Sequence, residues 1–402
     1  MSANGRNIAL LALSQACFMT TVNINIIVTS LVGVLIAPEP WLATLPISLM
    51  YVVSMLTTLP ASLLMGRIGR KPVFISAAGI GLFCCLIMGY ATILSSFMLF
   101  LVSSAGLGIA TGVAQFYRYA AADNAEQNQK ARALSLVLAG GVLAAIIGPN
   151  LARMTFEAIP DHLYAGCFFG AAMMQLLALL LLPYLDIKPS TEIVKSSGVS
   201  LGWLFRQPYF IAGMVTAALG YGVMTFMMTA TPLQIVNTEQ MGDSSNAIII
   251  QWHVLAMLLP SLATGALIGR VGVIPVLWAG VIFYIAMIVV TLSGTSFMHY
   301  LMTLVLLGLG WNMLFVGGSS IIAQSCRPDQ RPKVQGMADF MITAMMALAS
   351  LTSATMHYLY GWKIMVLLAV VLVGVIAVSI ILATLYPMTR NGETGFPEAS
   401  RQ

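Results

Sequence analysis

Twelve apolar runs succeed one another between residue 8 and residue 386, parted only by short polar links. About 20 residues of α-helix span the roughly 30 Å hydrocarbon core of a bilayer. In lipid, every backbone amide must find its partner within the protein, so a run of this length is a helix. The runs fall at about 8–35, 42–65, 73–94, 96–117, 134–156, 164–184, 207–230, 245–268, 274–293, 297–323, 337–358 and 361–386. Only 8% of residues are charged, against about a quarter in soluble proteins. The chain therefore reads as an all-α polytopic membrane protein with twelve transmembrane helices. The opening MSANGRN carries one Arg and leads into an apolar run without a small-residue cleavage site, so it reads as a retained first helix.

The charges set an orientation. With the N-terminus in the cytoplasm and each helix reversing the chain, all the Lys and Arg except Arg153 and Lys363 fall inside. That asymmetry follows the positive-inside rule and places both termini in the cytoplasm of a bacterial inner membrane. The membrane surface accounts for the formal charge of +5, and no nucleic-acid partner is implied. The chain is expected to be a monomer.

An internal repeat indicates the architecture. Gly66, Arg67, Gly69 and Pro72 of GRIGRKP match Gly269, Arg270, Gly272 and Pro275 of GRVGVIP at an offset of 203. Glu126-Gln127 and Lys130 match Asp329-Gln330 and Lys333 at the same offset, and Gly106-Leu-Gly108 matches Gly308-Leu-Gly310 at 202. Two like-oriented six-helix units, 1–185 and 207–388, are expected, joined by a polar linker at 186–206 and followed by a tail at 389–402. Parallel repeats of this kind belong to secondary transporters, with the substrate between the halves near mid-membrane.

On these residues the chain resembles the major facilitator superfamily over nearly its whole length. Gly66-Arg67-x-Gly69-Arg70-Lys71-Pro72 is similar to the family's loop between helices two and three, with Gly66 in place of the usual Asp. A gating pair in which Asp339 of helix eleven meets Arg67 or Arg70 is therefore expected. Ala144-x-x-x-Gly148-Pro149 partly resembles an antiporter motif, but small residues four apart also let helices approach closely, and packing is the first reading. Ser104 stands where many drug exporters carry an Arg.

Acidic residues are absent from mid-membrane depth, which disfavours hard divalent cations as cargo. Arg118 could bind an anion, or it could reach for lipid headgroups. The resemblance implies that Asn23, Asn25, Gln115, Tyr117, Trp311 and Asn312 line the central cavity as substrate contacts; each could equally hydrogen-bond a neighbouring helix. No clustered acid, base or nucleophile suggests an enzyme. No ATP-binding motif is present, so an ion or substrate gradient must supply the energy.

Met224-x-x-x-Met228 in helix seven and His253-x-x-x-Met257 in helix eight pose a sharper question. Residues four apart share one helix face, and thioether with imidazole suits Cu(I). Methionine is also a common filler of apolar gaps, and the chain holds 27 of them. The pattern is similar to that of the CcoA-like copper importers, which implies that Met224, Met228, His253 and Met257 handle a transported copper ion. The copper is cargo, and no resident cofactor is expected. None of Cys17, Cys84, Cys85, Cys167 and Cys326 takes an assigned role. The chain also resembles the RfnT-like riboflavin transporters, for which Trp311, Asn312, Gln115 and Tyr117 would supply stacking and amide contacts. The sequence leads to copper import by alternating access, with uptake of riboflavin or a similar aromatic molecule as the alternative and small-molecule efflux behind it.

Overall fold

The computed structural model describes residues 3–123, 130–187, 205, 207–326 and 331–385. The expected linker and tail, and the acidic and amide residues of the loops before helices five and eleven, lie outside these apart from 186, 187 and 205. Among the described residues the chain is helical throughout. The first half holds α1 (Ala3–Ile36), α2 (Leu45–Ile68), α3 (Arg70–Ile93), α4 (Phe97–Ala114, continued by Tyr117–Asp123), α5 (Lys130–Thr155) and α6 (Ala165–Leu181). The second holds α7 (Pro208–Pro232), α8 (Asp243–Leu258, continued by Ser261–Val271), α9 (Val273–Ser293) and α10 (Phe297–Gln324). The helix Arg331–Leu385 is broken at Gly361 (φ 72°) into α11 (331–360) and α12 (362–385).

The internal repeat is visible in the backbone. Gly69 between α2 and α3 adopts φ 86°, ψ 165°, and Gly272 between α8 and α9 adopts φ 85°, ψ 167°. Both are left-handed conformations that an L side chain resists, which is why each loop keeps its glycine. Glycines also set how closely helices approach. A Cβ on Gly108 of α4 would collide with the Met50 carbonyl of α2, and one on Gly308 of α10 would lie 2.7 Å from the His253 carbonyl of α8. Gly81 of α3 faces Ala110 of α4, and Gly310 of α10 faces Tyr284 of α9. By these contacts Gly108 corresponds to Gly308 and Ala110 to Gly310. The register between α4 and α10 is thus 200, and the 202 match of the GLG triplets is shifted by two residues. A Cβ added to Gly148 of α5 would lie 2.8 Å from the Asn23 Cβ of α1, so the Ala144-x-x-x-Gly148 motif packs two helices.

The two ends of the molecule differ. The end carrying the N-terminus and Gly69 is here called the near end, and the opposite one the far end. Toward the far end one apolar core runs through both halves, joining Ile27, Met50, Met88, Phe100 and Phe168 to Met228, Ile250, Tyr284 and Met365. Toward the near end it divides. Leu11, Phe18, Met65, Phe74 and Tyr117 form one cluster in the first half, and Phe210, Met214, Ile322, Val334 and Ile342 form another in the second.

Polar contacts tie the halves together at the far end. Thr44 Oγ1 donates to the Ser350 carbonyl at 3.2 Å, and the Ser48 and Ser350 hydroxyls lie 2.8 Å apart. Asn246 Nδ2 donates to the Ile27 carbonyl at 3.2 Å, and the Tyr164 hydroxyl donates to Asp243 Oδ1 at 2.6 Å. Burial and the Asp243 carboxylate push the Tyr164 phenol well above its usual range, so it remains a donor. Within the second half, His357 Nε2 donates to Gln234 Oε1 at 2.8 Å, and Gln234 Nε2 donates to Glu239 and to the Tyr300 hydroxyl at 2.9 Å each. This network braces the π-helical turn Leu233–Thr238 that follows Pro232.

Candidate functional site

The expected site residues separate into three groups. The first is held within the helix packing, by bonds to a neighbouring helix or along the same one. Asn23 Nδ2 donates to the Ala144 carbonyl of α5 at 3.0 Å; Asn25 Nδ2 donates to the Thr21 carbonyl at 2.9 Å, and its Oδ1 accepts from Thr29 at 3.1 Å. Asn312 accepts from Thr264 at 2.6 Å and donates to the Met257 carbonyl at 2.8 Å, fastening α10 to α8. Tyr117 is buried edge-on against Phe74 at 4.8 Å, inside the near-end cluster of the first half. These amides are bonded within the fold, the Tyr117 ring is packed, and Gln115 is exposed at the end of α4.

The second group is Met224, Met228, His253 and Met257, all buried. Chain contacts bring them to similar depth. Gly220 of α7 lies against Leu314 of α10, and the residues of α8 from His253 to Met257 lie against Gly308. The two helices nevertheless approach α10 from different sides. α7 sits on the face of Leu314, Gly318 and Ile321, whereas α8 sits on that of Leu304, Gly308 and Asn312. His253 Nδ1 lies 2.7 Å from the Leu304 carbonyl. A carbonyl only accepts, so Nδ1 carries the proton. His253 Nε2 is buried without a hydrogen-bond partner.

The third group lies where the two halves face one another. Trp311 and Phe315 of α10 stack at 5.1 Å with an interplanar angle of 7°. Tyr221 of α7 stands edge-on to both, at 5.0 Å from Trp311 and 5.4 Å from Phe315. Spacing explains the stack, because positions 311 and 315 share one helix face. Trp311 Nε1 is buried with no partner, and an unpaired buried donor is costly unless something completes it. Tyr51 of α2, from the other half, lies within electrostatic reach of Tyr221.

Arg118 lies within the same reach of Tyr221. Its guanidinium sits 4.8 Å from the Tyr119 ring centroid, and Nη2 donates to the Tyr119 hydroxyl at 3.1 Å. Tyr119 is hydrogen-bonded in turn to Asp339 of α11. Asp339, expected to gate with Arg67 or Arg70, has Tyr119 and Arg118 as neighbours. Arg67 is exposed on the last turn of α2, and Arg70 opens α3.

Tyr221, Phe315, Tyr51 and Tyr119 are absent from the sequence-based set. An aromatic at 315, four residues after Trp311, was a visible signal, as was Tyr119 directly after Arg118; Tyr221 and Tyr51 become neighbours of the site only through tertiary packing.

Two like-oriented helical bundles, sharing one far-end core and meeting around a central aromatic group, define a secondary transporter. The chain belongs to the Major Facilitator Superfamily, which matches residues 3–259. It is 34% identical over 384 residues, 95% of this chain and 96% of the other, to the riboflavin transporter RfnT of Brucella anthropi. It is 30% identical over 309 residues, 70% of each chain, to the uncharacterized MFS-type transporter YddS of Bacillus subtilis. Among solved structures, the nucleoside transporter NupG superposes with a TM-score of 0.73 at 13% identity, covering 94% of this chain and 99% of the other. A bacterial homolog of the human lysosomal transporter Spinster, inward-facing and unoccupied, also superposes at 0.73 with 13% identity, covering 96% and 98%. These two likenesses concern the fold.

Proposed function

We propose that this transporter takes up riboflavin, or a planar aromatic solute much like it, across the bacterial cytoplasmic membrane. The observation that carries the reading is the Tyr221–Trp311–Phe315 group beside Tyr51. Flat rings are held by stacking, worth about 1–3 kcal/mol per ring when a heterocycle meets an aromatic side chain. The buried Trp311 Nε1 offers a donor to a ring carbonyl. Kinship with a riboflavin transporter along nearly the whole chain supports the same substrate.

The charge asymmetry of the loops supports a cytoplasmic near end. Uptake in that orientation requires the far-end contacts and the near-end Tyr119–Asp339 link to part in turn. The test is uptake of radiolabelled riboflavin in a host lacking its own transporter. Accumulation above the empty-vector control, abolished by excess unlabelled riboflavin, is expected; its absence overturns the proposal.

Copper import is the second reading, and one observation favours it: the buried, unpartnered Nε2 of His253 near Met257. The relatives named above lend it no support, and α7 and α8 meet α10 on different faces. Copper uptake measured in the same host decides it. Accumulation that vanishes in the Met224→Leu/His253→Leu variant would sustain the metal over the flavin.

A further inference from the structure

Arg118 and Asp339 come from opposite halves and meet around Tyr119, beside the aromatic group that Arg118 reaches. The guanidinium lies over Tyr119 and within electrostatic reach of Tyr221, which touches Trp311 and Phe315. The carboxylate is two hydrogen bonds away, through the Tyr119 hydroxyl. Arg118 Nε is buried and unpartnered. A lone Arg beside a ring-binding site would draw phosphate strongly, since its fork of donors fits phosphate oxygens. Here the positive charge is already balanced, and the balancing carboxylate would repel an incoming dianion in surroundings with little water to screen it. A neutral hydroxyl fits both partners: it can accept from Nε and donate to the carboxylate.

We propose that Asp339 is a specificity-determining residue, which by balancing Arg118 admits an uncharged, hydroxyl-bearing aromatic solute and excludes the same solute bearing a phosphate. The inference deepens the flavin reading and rests on it. Specificity is a difference between two affinities, and a repulsive element can set it as well as an attractive one.

The experiment compares riboflavin with its 5′-phosphate in proteoliposomes containing the full chain, reading the ratio of their initial uptake rates. The wild type favours riboflavin by at least about tenfold. Asp339→Asn lowers that ratio about fivefold or more, whatever its absolute rate. Arg118→Gln/Asp339→Asn restores it, because the uncompensated cation is gone; a change due to loosened structure would not reverse in this way. Should Asp339→Asn transport neither compound, the same ratio is read from dissociation constants, by quenching of flavin fluorescence on the purified protein. An unchanged ratio in Asp339→Asn, or a wild type that takes both compounds alike, overturns the inference alone. A wild type that takes neither overturns the flavin reading with it.

Discussion

Trp311 is the residue on which the aromatic site turns. It stacks on Phe315, meets the edge of Tyr221 and holds a buried, unsatisfied N–H. Trp311→Leu keeps the site apolar but removes the flat face, and about 1–2 kcal/mol of stacking corresponds to a KM for riboflavin raised about five- to thirtyfold. Initial uptake rates across a concentration series check this; a KM within twofold of wild type would remove Trp311 from the site. His253 serves as the counter-test. Its imidazole bonds the Leu304 carbonyl between α8 and α10, away from the aromatic stack, so His253→Leu should leave the KM for riboflavin within about twofold while costing about 1 kcal/mol of stability. Trp311 could be chosen from the sequence, because a polar aromatic in the middle of an apolar run asks for a partner. Tyr221 and Tyr51 could not. Each looks like an ordinary span residue until tertiary packing brings positions 170 apart in the chain together.

At the scale of the helix, glycine placement sets the architecture, and here the sequence was most legible. Span number, repeat and the matched loops follow from hydropathy and from turns that need a positive φ. Rotation of each helix about its own axis is harder to read, because apolar residues face both lipid and neighbour, and the moment that orients a soluble helix is weak. That is why the GLG triplets align two residues out of register, and why Asn23 and Asn312 look like cavity residues while tying helices together, and Asn25 while bonding along its own helix. Gly308→Val should force α10 away from the His253 carbonyl of α8, an overpacking cost of about 1–3 kcal/mol or more. Gly66→Ala should be close to neutral, because a Cβ added there would meet nothing within 4 Å. Thermal unfolding of the two variants in detergent, set beside wild type, measures the contrast.

Across the whole molecule, the decisive feature is that the halves share an apolar core at the far end and keep separate ones at the near end. Transport then means parting the far-end contacts and the near-end Tyr119–Asp339 link in alternation, as alternating access requires. The serine hydroxyls at 48 and 350 lie 2.8 Å apart, so Ser48→Cys/Ser350→Cys, with the native cysteines replaced, should form a disulfide on oxidation and stop uptake until a reductant is added. Uptake that continues with the disulfide fully formed would show that this seam never needs to part. Paired ends of this kind are invisible in a sequence, since serines 302 residues apart carry no mutual signal. One further consequence follows from the undivided core. If adhesion between the halves resides there, the peptide connection between them acts mainly as a tether that raises one partner's local concentration around the other. Two separately translated fragments, divided between residues 188 and 204, should then find each other in the bilayer and carry solute as a pair.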